Sequence, residues 1–466
     1  MELLVGSEDI KCEPFRPYDD IVVDLLDDWS KEIKKNSAAR RYPDVLTFGF
    51  FIRRGSIAKK KEEFENRAGK GVGFARLGRG LAFHVAPSNV PVNCMYTLVF
   101  GLLSGCANIV RIPTKEFKQV DILCETLNNV LRKQKYSDIG SSIQVLRYDR
   151  DEKLLSGELY TAFFSRICDV RVIWGGDDTV ADIRSYPISP RAKDITFADR
   201  YSLGIISTKA VANATDDEII QLASDFYNDT YLMDQNACSS PHLIGWLNDL
   251  EYPASEKDDS EISEQDSVDL EADDLKKTND VNAIRQARSA GSPTRNAQDR
   301  FWRAVADVAR KKYDLADIKV SEKFLDLCEA ASRDVYQNDV GQVIGLDYNK
   351  MDAYILDFKS YGNNAVYVCD LEVLTRQTVE KLRGRFGTFF QKIVNQVREL
   401  RPAMDDPKVQ TCAVYGVEPE MVKNVIVENR YYGVDRVVPF GHTLDIDVIW
   451  DGYDLIGEMS RIIASK

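Results

Sequence analysis

Residues 81–112 have the sequence LAFHVAPSNVPVNCMYTLVFGLLSGCANIVRI. The apolar run at 81–86 predicts a strand, residues 90–104 predict a buried helix, and residues 108–112 predict a second strand. A strand, a helix and a strand in succession are typical of a parallel βαβ unit. We therefore expect a parallel sheet within an α/β fold around this stretch.

The same alternation continues along the chain. The pattern predicts helices at 21–33, 118–132 and 216–228 and strands at 45–52, 142–147 and 170–174. Helices are expected to dominate residues 298–333 and 370–400. Repeated strand–helix units favour a parallel sheet in an α/β domain.

The composition is that of a globular protein with more than one domain. A chain of 466 residues is too long for one ordinary core, and its hydrophobic content of 44% is typical of globular proteins. Residues 251–280 contain 12 acidic residues and 3 lysines, so −9 of the net charge of −13 lies in this one segment. No basic stripe with interleaved aromatic residues is present, and we expect no nucleic-acid partner.

The cysteines and histidines argue against structural disulfides and metal sites. The nine cysteines form no CxxC pair, and the chain has only three histidines. This usage predicts free thiols in a reducing cytoplasm and no metal centre. The most apolar run, residues 94–110, is interrupted by polar residues and glycine, and so predicts a buried helix and no membrane span.

Two short segments could carry nucleophilic chemistry. Residues 234–241, DQNACSSP, place Cys238 among small polar residues, which suits a thiol that must be reached by a substrate. The alternative is a small buried structural cysteine. The second segment is residues 83–91, FHVAPSNVP, in which prolines lie on both sides of Asn89. The Asn89 amide could donate to an oxyanion or could instead bond the backbone of a local turn.

A third segment could bind a dinucleotide. Gly175, Gly176 and Thr179 follow the strand predicted at 170–174 and precede a helix. A pyrophosphate group commonly meets glycines and a helix N-terminus at such a place, although two glycines after a strand can also mean only a turn.

The chain resembles the long-chain fatty acyl-CoA reductases of the bacterial luminescence type, which are members of the aldehyde dehydrogenase superfamily. The similar blocks occur in one order: HVAPSNVPVN (84–93), GLLSGCANIVRIPTK (101–115), WGGDDTVADIR (174–184), FADRYS (197–202), DQNACSSPH (234–242) and GVDRVVPFGHTLDIDVIWDGYDL (433–455). Together they extend over most of the chain. The resemblance implies an aldehyde dehydrogenase-like α/β fold, with a Rossmann-like cofactor domain and a catalytic α/β domain.

The resemblance also implies roles for single residues. Cys238 would be the acylated nucleophile and Asn89 an oxyanion donor, while the glycine turn at 175–176, with Thr179, would bind the cofactor. The segment that binds the adenosine ribose would contribute Arg111, Thr114 and Lys115. Basic and hydroxyl groups there, where an acidic side chain would favour NAD, suggest NADPH because they can pair with a 2′-phosphate. The alternative is that they are solvated positive charges at the end of a strand.

The domain organisation implied by the resemblance has three parts. Residues 1–200 would form the cofactor domain, with an oligomerisation hairpin near 66–80. Residues 201–432 would form the catalytic domain, interrupted by a disordered acidic insertion at 251–297. Residues 433–466 would be a C-terminal segment that packs at the domain junction.

The function that follows is NADPH-dependent reduction of an acyl-CoA, of fatty type, to the aldehyde through an acyl-cysteine intermediate. A homo-oligomer and an acyl-protein synthetase partner are implied by the resemblance alone. A cysteine-dependent acyltransferase and a non-catalytic binding subunit stay open. An oxidative aldehyde dehydrogenase is disfavoured, because residues 196–201, TFADRY, lack the glutamate that would activate water.

Overall fold

The computed structural model describes residues 1–68, 74–87, 90–249, 291–313, 355–363, 365–371, 374, 384 and 386–465. The chain divides into two compact units. The first unit contains Met1–Asp199 together with Ile446–Lys466, and the second contains Arg200–Asp445. The last twenty or so residues therefore return to the unit in which the chain begins.

Strands and helices alternate through most of the described chain. In chain order the strands are β1 (Glu2–Gly6), β2 (Phe74–Gly78), β3 (Leu81–Val85), β4 (Ala107–Ile112), β5 (Ile143–Arg147), β6 (Val170–Trp174), β7 (Lys193–Phe197), β8 (Tyr201–Ser207), β9 (Pro241–Leu247), β10 (Ile355–Tyr361), β11 (Val366–Leu371), β12 (Thr388–Val394), β13 (Val409–Tyr415), β14 (Arg436–Pro439), β15 (Ile449–Trp450), β16 (Tyr453–Asp454) and β17 (Ser460–Ala464). The α-helices are α1 (Asp20–Lys35), α2 (Pro43–Phe51), α3 (Arg54–Ala68), α4 (Asn93–Leu103), α5 (Lys118–Leu131), α6 (Ser137–Gly140), α7 (Tyr160–Ile167), α8 (Asp177–Arg184), α9 (Thr208–Asn213), α10 (Asp216–Thr230), α11 (Pro293–Lys312), α12 (Arg401–Met404), α13 (Pro419–Asn429) and α14 (Leu455–Met459).

The first unit is built on a doubly wound sheet of order β1-β5-β4-β3-β6-β7. All its neighbouring strands are parallel except β1, which runs antiparallel to β5. Helices α1, α4 and α5 pack on one face and α7 and α8 on the other. The order of the strands reverses between β3 and β6, which is where doubly wound folds bind ligands at the carboxyl ends of their strands.

The second unit contains a seven-stranded sheet of order β10-β11-β12-β9-β8-β13-β14. Only β10 is antiparallel to its neighbour. Helices α10 and α11 cover one face with an aromatic-rich core, and α12 and α13 lie on the other. Two parallel sheets with helices on both faces confirm the predicted α/β fold.

A two-stranded ribbon in the first unit joins distant parts of the sequence. β2 pairs antiparallel with β17, so that Phe74 lies opposite Ala464. A hairpin was expected near residues 66–80, but the partner of β2 comes from the other end of the chain, and residues 66–68 belong to α3. Residues 69–73 lie outside the described range.

The strand predicted at 45–52 is wrong, because these residues belong to α2 and the position after it. An apolar run does not by itself distinguish a strand from a buried helix. Val45, Phe48 and Gly49 are the buried positions of α2, and their spacing of three and four residues is that of a helix face.

Two further expectations also need correction. Helices were expected to dominate 370–400, yet among the described residues of this range 370–371 end β11 and 388–394 form β12, while most of residues 372–385 lie outside the described residues. The disordered insertion was expected to extend to residue 297, but α11 begins at Pro293, where the Ser292 side chain caps its first turn. The rest of the expected insertion, 251–290, lies outside the described residues.

Among the described residues, no helix is both long enough and apolar enough to cross a membrane.

Candidate active site

Cys238 lies in a loop between α10 and β9, at the amino ends of the parallel strands of the second sheet. The loop begins with two consecutive left-handed residues, Asp234 with φ of 50° and Gln235 with φ of 58°. Residues other than glycine seldom adopt this conformation, and it persists only where surrounding contacts hold it in place. The contacts that hold this loop therefore identify the residues that shape the site.

Gln235 ties the loop to the start of β12. Its side-chain nitrogen donates to the carbonyl oxygen of Thr388 at 2.9 Å, and its side-chain oxygen accepts from the Gly387 N–H at 2.7 Å. Gln235 is only 2% exposed, so these bonds form away from water. A buried amide with both ends bonded fixes the position of the loop as well as its conformation.

Ser202 of β8 holds the cysteine itself. Its hydroxyl donates to the carbonyl oxygen of Cys238 at 2.7 Å and accepts from the Thr411 N–H at 3.1 Å. Ser202 is fully buried, and its two bonds link the loop to β8 and β13. The peptide unit that follows Cys238 is thereby fixed against the sheet.

The far end of the loop is held by Ser240, whose hydroxyl donates to the carbonyl oxygen of Asp229 at 2.7 Å. Asp229 lies in the last turn of α10, so this bond fastens the loop to the helix that precedes it. Anchors thus lie before, at and after Cys238.

Exposure separates Cys238 from most of the other thiols. Among the described cysteines, Cys12 is exposed, Cys238 is half-buried and the rest are buried. Burial raises the pKa of Cys124 to about 12 and also raises the pKa of Cys94 and Cys412, which keeps these thiols protonated and unreactive. Cys238 therefore combines partial exposure with a loop that buried hydrogen bonds hold in place.

The predicted cofactor residues of the first unit lie at the carboxyl ends of two strands that flank β3. Arg111 is the penultimate residue of β4, and Thr114 and Lys115 follow the strand in an exposed loop. The Arg111 guanidinium lies 5.4 Å from the centre of the Tyr148 ring and donates to the Tyr148 carbonyl oxygen at 3.4 Å. Its Nε is buried and has no hydrogen-bond partner among the described residues.

The glycine turn lies after β6, on the other side of β3. Gly176 is the N-cap of α8, and a Cβ atom at this position would have no neighbour within 4 Å among the described residues. A Cβ atom on Gly175 would instead lie 2.9 Å from two carbons of Thr179. Gly175 is therefore required by the packing of α8, whereas Gly176 leaves open space in front of the helix N-terminus.

A buried arginine positions α8. Arg171 of β6 is 1% exposed and bonds both oxygens of Asp194 at 2.8 and 2.9 Å. The same guanidinium donates to the carbonyl oxygens of Ile183 and Tyr186, each at 2.9 Å. It satisfies carbonyl groups at the C-terminal end of α8 and so fixes the helix that begins at the glycine turn.

His84 has a structural role. Its Nδ1 lies 2.7 Å from the Thr97 hydroxyl and its Nε2 lies 3.0 Å from Asn108 Oδ1. The Asn108 amide nitrogen donates to the Cys106 carbonyl oxygen, which leaves Oδ1 as an acceptor and assigns the ring proton to Nε2. A fully buried, fully bonded neutral ring joins β3, α4 and β4, and burial lowers the pKa of His84 to about 4.

Not every residue of the candidate site was predicted from the sequence. Asn89 lies outside the described residues. Gln235, Ser202 and Asp229 were not singled out from the sequence. Asp229 does leave a signal in the sequence, because it falls three residues after Phe226 on the mostly apolar buried face of α10. Ser202 shows no such signal within its strand.

Comparison with known proteins adds the chemistry. Residues 62–256 match the acyl-CoA reductase (LuxC) family. The LuxC match covers somewhat less than half of the chain and includes both the glycine turn and Cys238. It confirms the resemblance predicted from the sequence and the prediction of an acyl-CoA reductase enzyme. No curated protein matches the chain.

Solved structures with the same fold are aldehyde dehydrogenases. Aldehyde dehydrogenase 21 from Physcomitrella patens has 9% identity and a TM-score of 0.55, with 96% of this chain and 86% of that chain covered. A Thermus thermophilus 1-pyrroline-5-carboxylate dehydrogenase has 11% identity and a TM-score of 0.54, with coverage of 95% and 80%. A putative aldehyde dehydrogenase from Anabaena variabilis has 12% identity and a TM-score of 0.52, with coverage of 95% and 86%.

A proline utilization A structure is also similar, with 11% identity and a TM-score of 0.52, but this chain spans only 42% of its length. At these identities the similarity establishes the fold, which is that of the aldehyde dehydrogenases. The LuxC match and the fold together make the chain a reductase or dehydrogenase of aldehyde chemistry, and they imply a nicotinamide cofactor.

Proposed function

We propose that the protein reduces an acyl-CoA to the aldehyde with NADPH, through an acyl group carried on Cys238. The observation that supports this most directly is the loop of Cys238, which presents a half-buried thiol and is held by buried hydrogen bonds from Gln235 and Ser202. A nucleophile must be both accessible and held in one orientation to attack a carbonyl repeatedly.

Cys238 acts first in the proposed reaction. Its thiolate attacks the thioester carbonyl carbon, and the carbonyl π electrons move to the oxygen. That oxyanion is assigned to the backbone N–H of Cys238 and, from the family resemblance, to the amide of Asn89. Collapse of the oxyanion expels the CoA thiolate and leaves an acyl group on Cys238.

Reduction completes the cycle. When bound, NADPH supplies the hydride that converts the acyl carbon to the level of an aldehyde. The same donors hold the second oxyanion, whose collapse breaks the carbon–sulfur bond and returns Cys238 to the thiolate. No step uses a residue to activate water, which agrees with the segment TFADRY at 196–201, where the water-activating glutamate of the oxidative enzymes is missing.

The first unit offers groups that fit the cofactor. Gly176 leaves open space at the N-terminus of α8, where backbone N–H groups can approach a pyrophosphate. The buried Nε of Arg111 has no partner in the part of the chain that the structure describes, and a 2′-phosphate would give it one. Thr114 and Lys115 follow in the exposed loop and could reach the same group. The carboxylates of Asp177 and Asp178, in the first turn of α8, repel the phosphate groups of a cofactor. Contacts from the backbone N–H groups and from Arg111 must therefore outweigh this repulsion.

The decisive assay follows NADPH absorbance across a panel of saturated acyl-CoAs, with the aldehyde quantified at the end. Cys238→Ala should abolish both signals, whereas Cys12→Ala, which alters the exposed thiol, should retain them. Labelled acyl-CoA should label the wild type on Cys238 when NADPH is omitted. A labelled protein that transfers its acyl group but never consumes NADPH would instead indicate an acyltransferase.

We also propose a homo-oligomer that uses the β2–β17 ribbon. Phe74, Ile462 and Ile463 are 65%, 57% and 40% exposed on these paired strands, which is unusual for large apolar side chains in a monomer. Light scattering on the wild type and on Ile462→Lys tests this, and an unchanged mass would contradict it.

An acyl-protein synthetase could bind as a separate partner. The described cysteines form no disulfide, which suits a reducing cytoplasm.

A further inference from the structure

A buried carboxylate stands next to the Cys238 loop without taking part in the proposed chemistry. Asp229, in the last turn of α10, is 1% exposed. Its two carboxylate oxygens accept from the Gly441 N–H at 2.7 Å and from the Thr443 N–H at 3.1 Å. Its carbonyl oxygen accepts from the hydroxyl of Ser240, two residues after Cys238.

The turn that Asp229 holds is clamped from the other side as well. Arg436 of β14 donates to the carbonyl oxygens of His442 at 2.6 Å and Thr443 at 3.2 Å. Gly441 has φ of 89°, and a Cβ atom there would lie 3.0 Å from the carboxylate of Asp225. Residues 441–443 therefore depend on an ionised acceptor on one side and a guanidinium donor on the other.

A buried carboxylate is costly unless it is well bonded, and two backbone donors only partly compensate for lost hydration. An apolar side chain would fit the buried face of α10 more cheaply. A carboxylate at the junction of the 441–443 turn and the end of the Cys238 loop thus points to a role beyond packing.

We propose that ionised Asp229 is a positioning residue that fixes the C-terminal turn of α10, and with it the Cys238 loop, and that protonation of Asp229 loosens this end of the loop. A protonated acid presents an O–H group where a backbone N–H now finds an acceptor, so one of the two bonds to the turn must be lost. The proposal rests on the proposed role of Cys238 as the nucleophile.

The electrostatics agree with such a switch. Burial raises the pKa of Asp229 to about 6, against the lowering effect of its bonds to residues 441 and 443, and the nearby Asp225 raises it further. Other titratable or charged groups on the surrounding elements are Arg436 of β14, His442 with its partner Asp445 in the held segment, and Cys238 and His242 on the side of β9.

The direction in which folding shifts the pKa of Asp229 distinguishes this switch from acid unfolding. The folded pKa of Asp229 is raised, so ionising the carboxylate opposes folding, and its protonation below about pH 6 does not unfold the protein. A loss of function through Asp229 should therefore appear in acid while the protein stays folded.

The test measures the rate at which iodoacetamide alkylates Cys238, read from the mass of its peptide, between pH 5 and 8.5. If only the ionisation of the thiol changes, the logarithm of the alkylation rate rises with pH with a slope of about one. In the wild type the slope should steepen below about pH 6, with about a tenfold additional loss at pH 5, since about a tenth of Asp229 would then be ionised. Circular dichroism at each pH verifies that the protein is folded.

Asp229→Asn should remove the additional step and leave a slope of about one. Asp217→Asn is the control, because Asp217 is an exposed carboxylate in the first turn of α10, at the opposite end of the helix from Asp229, and it should behave as the wild type. If Asp229→Asn fails to fold, Ser240→Ala breaks the same connection at the loop and should also remove the step. A wild-type slope of about one down to pH 5, or a step lost equally in Asp217→Asn, would overturn the proposal.

Alkylation does not depend on the reductase reaction, so the two ideas fail separately. A steepened profile in a protein that consumes no NADPH with any acyl-CoA would support the role of Asp229 and overturn the proposed reductase.

Discussion

The side-chain amide of Gln235 provides the sharpest test of how the Cys238 loop is built. Gln235→Met keeps the length of the side chain and removes both of its hydrogen bonds, to the Gly387 N–H and the Thr388 carbonyl oxygen. Both partners are buried. A buried donor or acceptor left without a partner costs about 1–3 kcal/mol, and the carbonyl costs less because it has a second lone pair.

Together these terms predict that Gln235→Met lowers the free energy of unfolding by about 2–4 kcal/mol. If the same geometry is needed to align Cys238 with its substrate, the loss will also appear in kcat/KM. Its upper limit is then about 30- to 1000-fold, because each 1.4 kcal/mol corresponds to a factor of about ten. Denaturant unfolding and acyl-CoA reduction, measured on one preparation, give the two numbers.

Gln221→Met is the matched control for this change. Gln221 is an exposed residue of α10 whose amide bonds Asp225 at 2.9 Å, and its replacement should alter stability by no more than about 0.5 kcal/mol. The reasoning would be refuted if Gln235→Met unfolded at the wild-type denaturant concentration and kept its kcat/KM within about twofold.

Three further predictions concern the first unit. The pKa of His84 is about 4 in the folded protein and 6.5 ordinarily, so the unfolded state binds more protons as the pH falls through this window. Protonation of His84 should therefore lower the free energy of unfolding by about 2–3 kcal/mol between pH 7 and 4.5. In His84→Gln the free energy of unfolding, measured in urea, should depend less on pH. Gly176→Ala should leave unfolding unchanged, since a Cβ atom meets nothing there, but should raise the KM for NADPH by about tenfold if the cofactor occupies that space. Arg111→Leu should raise the KM for NADPH and leave that for NADH nearly unchanged, because only NADPH carries the 2′-phosphate; an equal rise for both would contradict the assignment.

The sequence predicted much of the fold because hydrophobic periodicity is a local property. The helices at 118–132 and 216–228 and the strand at 170–174 are confirmed as α5, α10 and β6, within two residues at each end. The pattern failed where the period was ambiguous, as in the apolar run that forms α2, and at residues 388–394, which form the interior strand β12 of the second sheet. Strands buried on both faces lose the alternation that would identify them.

The sequence by itself determined the α/β class, the family resemblance and the identity of Cys238 as the candidate nucleophile, since these follow from neighbouring residues and short motifs. Only the tertiary structure decided what holds that cysteine. Gln235 finds its partners 152 and 153 residues away, Ser202 finds the Thr411 N–H 209 residues away, and Asp229 reaches Gly441 across 212 residues. The sequence around a polar side chain does not indicate a distant hydrogen-bond partner, because the hydrogen bond forms only after the parallel sheet has brought the two segments together.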